Sequence, residues 1–253
     1  MPIAIVGIVS FLSWLISMVA GGGSPLVLIP LISFFYGSQA VAPVITLGLL
    51  LGNIQRLYYF WQDIDWQITL WQLPGVLTGS VLGAFIFTRI HLEGLQVVIG
   101  LALLLMVANY WFGSRELTFT VKLWYFLPFG FCNALASGVI GSTGPIMNPA
   151  YLNYGLVKEG MIATKAANIL LCHLIKLAAY AAFGALTKPY LIYGLVIGAT
   201  ALPANWLGRL ILRQMSNDLF TEVMFVFIAV SGLLMVWEQR QFLTGLWAPL
   251  GIG

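Results

Sequence analysis

The chain has 253 residues, of which 60% are hydrophobic and only 8% charged, far from the roughly 25% charged residues of a soluble domain. Its formal net charge of +3 is spread over short loops with no basic patch, which excludes nucleic acid as a partner. Two cysteines, Cys132 and Cys172, lie in apolar stretches; they make no disulfide framework and read as buried core thiols.

No Lys, Arg, Asp or Glu occurs in residues 1–55, 66–88, 94–114, 123–157 or 189–208. Uncharged apolar runs of this length read as transmembrane helices. The first run lacks a basic n-region and is followed by more apolar sequence, so it reads as mature structure rather than a signal peptide. An opening helix is expected over 3–20, then the break Gly21-Gly22-Gly23-Ser24-Pro25 and a short segment over 24–36. As helix that segment spans about 20 Å, too little for a hydrocarbon core of about 30 Å. Longer helices are expected over 40–62, 67–88 and 93–112, with Tyr58, Tyr59, Trp61 and Trp66 anchoring one loop at the membrane interface. The turn at Gly113-Ser114-Arg115-Glu116 starts a connection to a second opening helix over 122–140. The break Gly141-Ser142-Thr143-Gly144-Pro145 follows, with a second short segment of about a dozen residues and helices over 158–184, 189–213 and 218–238.

This layout repeats itself. At a shift of 119, Gly22 falls on Gly141 and Pro30 on Pro149; at 120, Arg56 falls on Lys176. At 129, Pro74, Gly79 and Glu93 fall on Pro203, Gly208 and Glu222, with one insertion near 186–195 absorbing the change. Gly, Pro and charged matches in order carry more weight than Leu and Val matches. The expected fold is therefore an all-α polytopic membrane protein in one membrane domain. It is made of two structural repeats, 1–115 and 120–240, each with Gly/Pro-broken short helices followed by three long transmembrane helices. Parallel and inverted relations between the repeats both remain open, as does the oligomeric state, a homodimer included.

Paired short segments interrupted by Gly and Pro point to a transporter's binding site. Ser24 and Thr143 are suited to N-cap positions, and Pro25 to a first helical turn. A helix N-terminus favours anions, and Gly22, Gly23 and Gly144 let an oxyanion approach the backbone. Arg56 follows the first break; Lys165, His173 and Lys176 follow the second. Lys165, Asn168, Cys172 and Lys176 share one helical face, and Thr46 and Asn53 share another near Arg56. Intramembrane ionisable residues are costly and mark function. Cations with few carboxylates suit an anion better than a metal or Na⁺. The alternative for Arg56, Lys165 and Lys176 is snorkelling from helix ends, and His173 reads either as a proton-coupling group or as a hydrogen-bonded core residue. The candidate anion-binding set is thus Gly22, Gly23, Ser24, Asn53, Arg56, Ser142, Thr143, Gly144, Lys165, Asn168, His173 and Lys176. Asp63-Ile64-Asp65 resembles a metal-binding pair but sits in a short loop and reads as a solvated turn; no metal or cofactor is expected.

The duplicated layout, with Gly21-Gly22-Gly23 leading to Pro30 and Gly141-Ser142 leading to Pro149, resembles the TauE/SafE sulfite exporter family over nearly the whole chain. That resemblance implies a multi-pass protein of the bacterial inner membrane that moves sulfite, organosulfonates or related small anions outward. The second break departs from the family pattern, with Ser142-Thr143 in place of two glycines; this narrows the pocket or adds hydroxyl donors. Two other classes compete: a membrane enzyme, which needs a His, Asp or Glu cluster that His91 and His173 do not supply, and a structural subunit, which leaves the breaks and cations unexplained.

Overall fold

The computed structural model describes residues 2–89, 94–112, 120–143 and 145–238. His91, Glu93, Gly144 and the turn at residues 113–116 lie outside these. Among the described residues there are ten α-helices and no strand. In chain order they are α1 (Pro2–Val19), α2 (Pro25–Tyr36), α3 (Ser38–Tyr59), α4 (Trp66–Arg89), α5 (Gly94–Phe112), α6 (Phe126–Ile140), α7 (Asn148–Tyr154), α8 (Lys158–Ala182), α9 (Lys188–Gln214) and α10 (Asn217–Glu238). Among the described residues, six segments are long and apolar enough to cross a membrane: α3, α4, residues 123–140, α8, α9 and α10. The protein is an all-α, multi-pass membrane protein.

Helices α3 and α8 form the centre. About 78% of the most apolar window of α3 and 61% of that of α8 are buried, against 39% for the other four spans. The outer helices turn large apolar side chains outward, among them Leu70, Leu77 and Phe85 on α4, Leu195 and Trp206 on α9, and Val226 and Leu233 on α10. Such a surface is a liability in water and is satisfied by lipid. At the α3–α4 turn Trp61 and Trp66 pack edge to face at 5.1 Å. Asp65 Oδ1 accepts the Ile68 backbone N–H at 3.0 Å, capping α4 as its dipole favours.

The helices pair in an ordered way. α1 packs on α9 and α6 on α4; α3 packs on α9 and α8 on α4; α2 lies on α3 and α7 on α8; α3 meets α8 and α5 meets α10. Counted as five elements and five more, each of these pairs has its counterpart across the two sets or is its own, whereas α1 also lies on α2 without a comparable α6–α7 contact. The first opening helix leans on the later set and the second on the earlier.

Small residues make these crossings close. A side chain at Gly75, Gly79 or Gly83 of α4 would run into the α6 backbone at Leu127, Phe131 and Leu135. On α9, Gly194 and Gly198 receive Leu47 and Leu51 of α3, and Gly208 receives Met18 of α1.

The two short helices differ. α2 has 12 residues, as expected for 24–36. α7 has only seven, not about a dozen. Pro149 sits in its first turn, where a missing N–H costs nothing, and Gly155 in a left-handed conformation ends it. Pro30, by contrast, lies inside α2.

Candidate functional site

The first break is shaped by its glycines. Gly21, Gly22 and Gly23 have φ of 68°, 130° and 106°, a run that L side chains rarely adopt. In the second break Gly141 alone has a positive φ, 92°, among the described residues. Ser142 and Thr143 have ordinary backbone there. The departure from glycine at these positions therefore goes with a different chain path, not with a strained copy of the first break.

The capping expectations need correction. Ser24 stands at the N-cap position of α2 but its side chain makes no cap bond, and its buried hydroxyl has no partner among the described residues. Thr143 caps nothing: α7 starts at Asn148, and the Thr143 hydroxyl donates to Asn133 Oδ1 of α6 at 2.6 Å. The second half thus offers a hydroxyl in a polar cluster where a helix N-terminus was anticipated.

The cations are buried, which overturns the snorkelling alternative. Arg56 is 6% exposed, Lys165 7% and Lys176 0%. Arg56 donates from Nε to Asn205 Oδ1 and from Nη2 to Ser17 Oγ, both at 3.1 Å, and lies over the Trp14 ring at 4.8 Å. Lys165 Nζ donates to the Gly21 carbonyl at 2.9 Å and to Asn148 Oδ1 at 2.6 Å, tying α8 to the first break and to α7. Lys176 Nζ donates to the carbonyls of Ser137 and Gly141 and to Ser137 Oγ, at 2.9, 2.8 and 3.1 Å. None of the three has a carboxylate partner: among the described residues the ion pair is Lys158 with Glu159, at 3.8 Å, elsewhere. Removing charges from water without counter-charge is expensive, and neutral carbonyls, amides and hydroxyls offset only part of that cost.

Two small cavities, each of about 30 Å³, lie back to back in the centre. One water takes roughly 10–15 Å³ on this measure, so each has room for about two. The first is lined by Gly21, Gly22, Gly23, Ser24, Asn53, Arg56 and Trp14 among others. The second is lined by Gln72, Asn133, Thr143, Tyr151, Asn168 and His173 among others. Ser142, Lys165 and Ile169 line both. Of the predicted set, Gly22, Gly23, Ser24, Asn53, Arg56, Ser142 and Lys165 gather at the first cavity. Thr143, Asn168 and His173 gather at the second, with Ser142 and Lys165 shared. Lys176 lines neither, because its ammonium is turned into the α6 C-terminus.

A family model for the sulfite exporters TauE/SafE matches residues 6–235, most of the chain. The chain belongs to the TauE/SafE family. No curated protein and no solved structure matches it. Members of the TauE/SafE family are transporters, and as one of them this chain is a membrane anion exporter by kind. In this TauE/SafE protein several polar residues at the site escaped the sequence reading: Ser17, Asn133, Ser137 and Asn205. A signal existed for two of them. Ser17 lies 39 residues before Arg56, and Ser137 lies 39 before Lys176, so each cation bonds the serine in the same relative place. The cysteines divide: Cys172 is buried beside Ser80, whose hydroxyl lies 3.2 Å from its sulfur, whereas Cys132 is exposed on α6, against the expectation of a core thiol.

Proposed function

We propose that this chain exports small oxyanions, such as sulfite or organosulfonates, across the bacterial inner membrane, with the anion received in the first cavity between the Gly21–Gly23 break, Arg56 and Lys165. The carrying observation is the burial of cations with no carboxylate partner among the described residues. A buried positive centre of this kind is completed by a negative passenger. The Ser24 hydroxyl supplies a hydrogen-bond donor beside the two side-chain cations, and the glycines let a passenger approach the backbone closely. A carrier must also bind weakly enough to release, and the neutral partners already holding both cations offer a resting state between passengers.

The two-repeat plan belongs to the same proposal. The crossed pairing of α1 with α9 and of α6 with α4, and the equivalent Arg56–Ser17 and Lys176–Ser137 bonds, support one membrane domain built of repeats 1–115 and 120–240. Direction follows from charge. An inside-negative potential is worth about 2.3 kcal/mol per elementary charge per 100 mV, so an anion leaves a cell without a coupled ion. Proteoliposomes loaded with sulfite test this. Efflux is expected to rise when the potential is made negative inside. Absence of flux, or uptake that needs Na⁺, sinks the proposal.

A further inference from the structure

We infer that the second cavity is a separate oxyanion station in series with the first, divided from it by the Lys165 side chain, and that His173 supplies the hydrogen bond that holds the passenger there. This rests on the transport reading above and deepens it, since one binding site becomes two stops along a path.

The cavities share Ser142, Lys165 and Ile169, so anything moving between them passes the ammonium of Lys165. Each alone is about two waters in size, which is tight for a four-atom oxyanion; the Lys165 chain between them is held at its tip by two hydrogen bonds, to the Gly21 carbonyl and to Asn148 Oδ1. Released from Gly21 and Asn148, it can follow an anion from one side to the other.

His173 is the independent observation. It is 2% exposed, and neither ring nitrogen has a hydrogen-bond partner among the described residues. Leaving such a group unsatisfied carries a desolvation penalty, so a core position filled for packing alone is better served by Leu or Phe. The imidazole instead lines a cavity with Asn133, Thr143, Tyr151 and Asn168. Two pairs beside it are already made, Thr143 with Asn133 at 2.6 Å and Tyr151 with Gln72 at 3.1 Å; Asn168 donates to the Thr164 carbonyl at 3.0 Å, and its Oδ1 has no partner among the described residues. The charged or titratable neighbours are Lys165 and Cys172 in the lining, Lys176 one turn along α8, and Tyr151 from α7; α4 and α6 contribute only neutral side chains, and among the described residues no carboxylate lines the cavity. The ligand that such a wall takes is an anion with several acceptor oxygens.

Calorimetric titration of sulfite into the purified full chain tests this, with His173→Leu, His173→Gln and Arg56→Gln beside it. Two phases of binding are expected. Both His173 variants should weaken one phase at least tenfold and spare the other, with Arg56→Gln doing the reverse. The melting temperature of His173→Leu should be unchanged or raised, since no protein hydrogen bond is lost, which separates a ligand role from a structural one. A single class of site, or two phases untouched by both His173 variants, overturns the second station and leaves the exporter standing. No sulfite binding by the folded parent overturns both.

Discussion

Replacing Lys165 by methionine separates the role of its charge from the role of its bulk. The side chains are similar in length, so packing is kept while the ammonium is lost. In the resting protein the substitution removes two charge-assisted hydrogen bonds, to the Gly21 carbonyl at 2.9 Å and Asn148 Oδ1 at 2.6 Å, worth about 1.5–3 kcal/mol each. It also removes a buried charge with no counter-charge, whose desolvation costs several kcal/mol. These terms oppose one another, and the melting temperature should move by no more than about 5 °C. Binding has no such compensation. A unit charge 4 Å from an anion contributes about 4 kcal/mol at an effective dielectric of 20, which is roughly a thousandfold in affinity. Calorimetry with sulfite, alongside a thermal melt, reads both quantities. A folded Lys165→Met protein that binds sulfite within about tenfold of the parent would refute the reasoning, because a cation at the wall of both cavities could not then be what draws the anion.

The neighbouring positions give contrasting outcomes. Lys176→Met should keep sulfite affinity within about tenfold, since its ammonium lies outside both cavities and distance and screening weaken its pull; a loss equal to that of Lys165→Met in the same titration would return Lys176 to the site. Gly22→Ala should lower sulfite affinity at least tenfold while the chain stays folded. Its backbone, at φ 130°, costs about 1–3 kcal/mol for a residue with a side chain, and the new methyl would meet Lys165 Nζ. Wild-type flux from Gly22→Ala in sulfite-loaded proteoliposomes would show that the first break does not shape the path.

Much of this protein is written in its one-dimensional pattern because lipid imposes a simple rule. A span must satisfy its backbone internally and expose apolar side chains, so uncharged runs such as 66–88 and 189–208 mark helices, and the rare charges inside them mark places where burial had to be worth its cost. Hence α3, α4, α8, α9 and α10 fall close to their expected bounds, and Arg56, Lys165 and His173 are visible as candidates. Tertiary structure alone decided what those candidates touch. Whether Lys165 and Lys176, eleven positions apart on one helix face, serve the same cavity depends on which backbone each tip reaches: Gly21 of α1's end for one, Gly141 of α6's end for the other. Thr143 looked like a cap because it lies in a glycine-rich break ahead of a short segment, but α7 begins only at Asn148 and Asn133, ten residues earlier, took its hydroxyl. Local spacing fixes which residues share a helix face; which of those faces meet, and whether a polar tip there finds a partner or a cavity, is settled only when helices distant in the chain pack together.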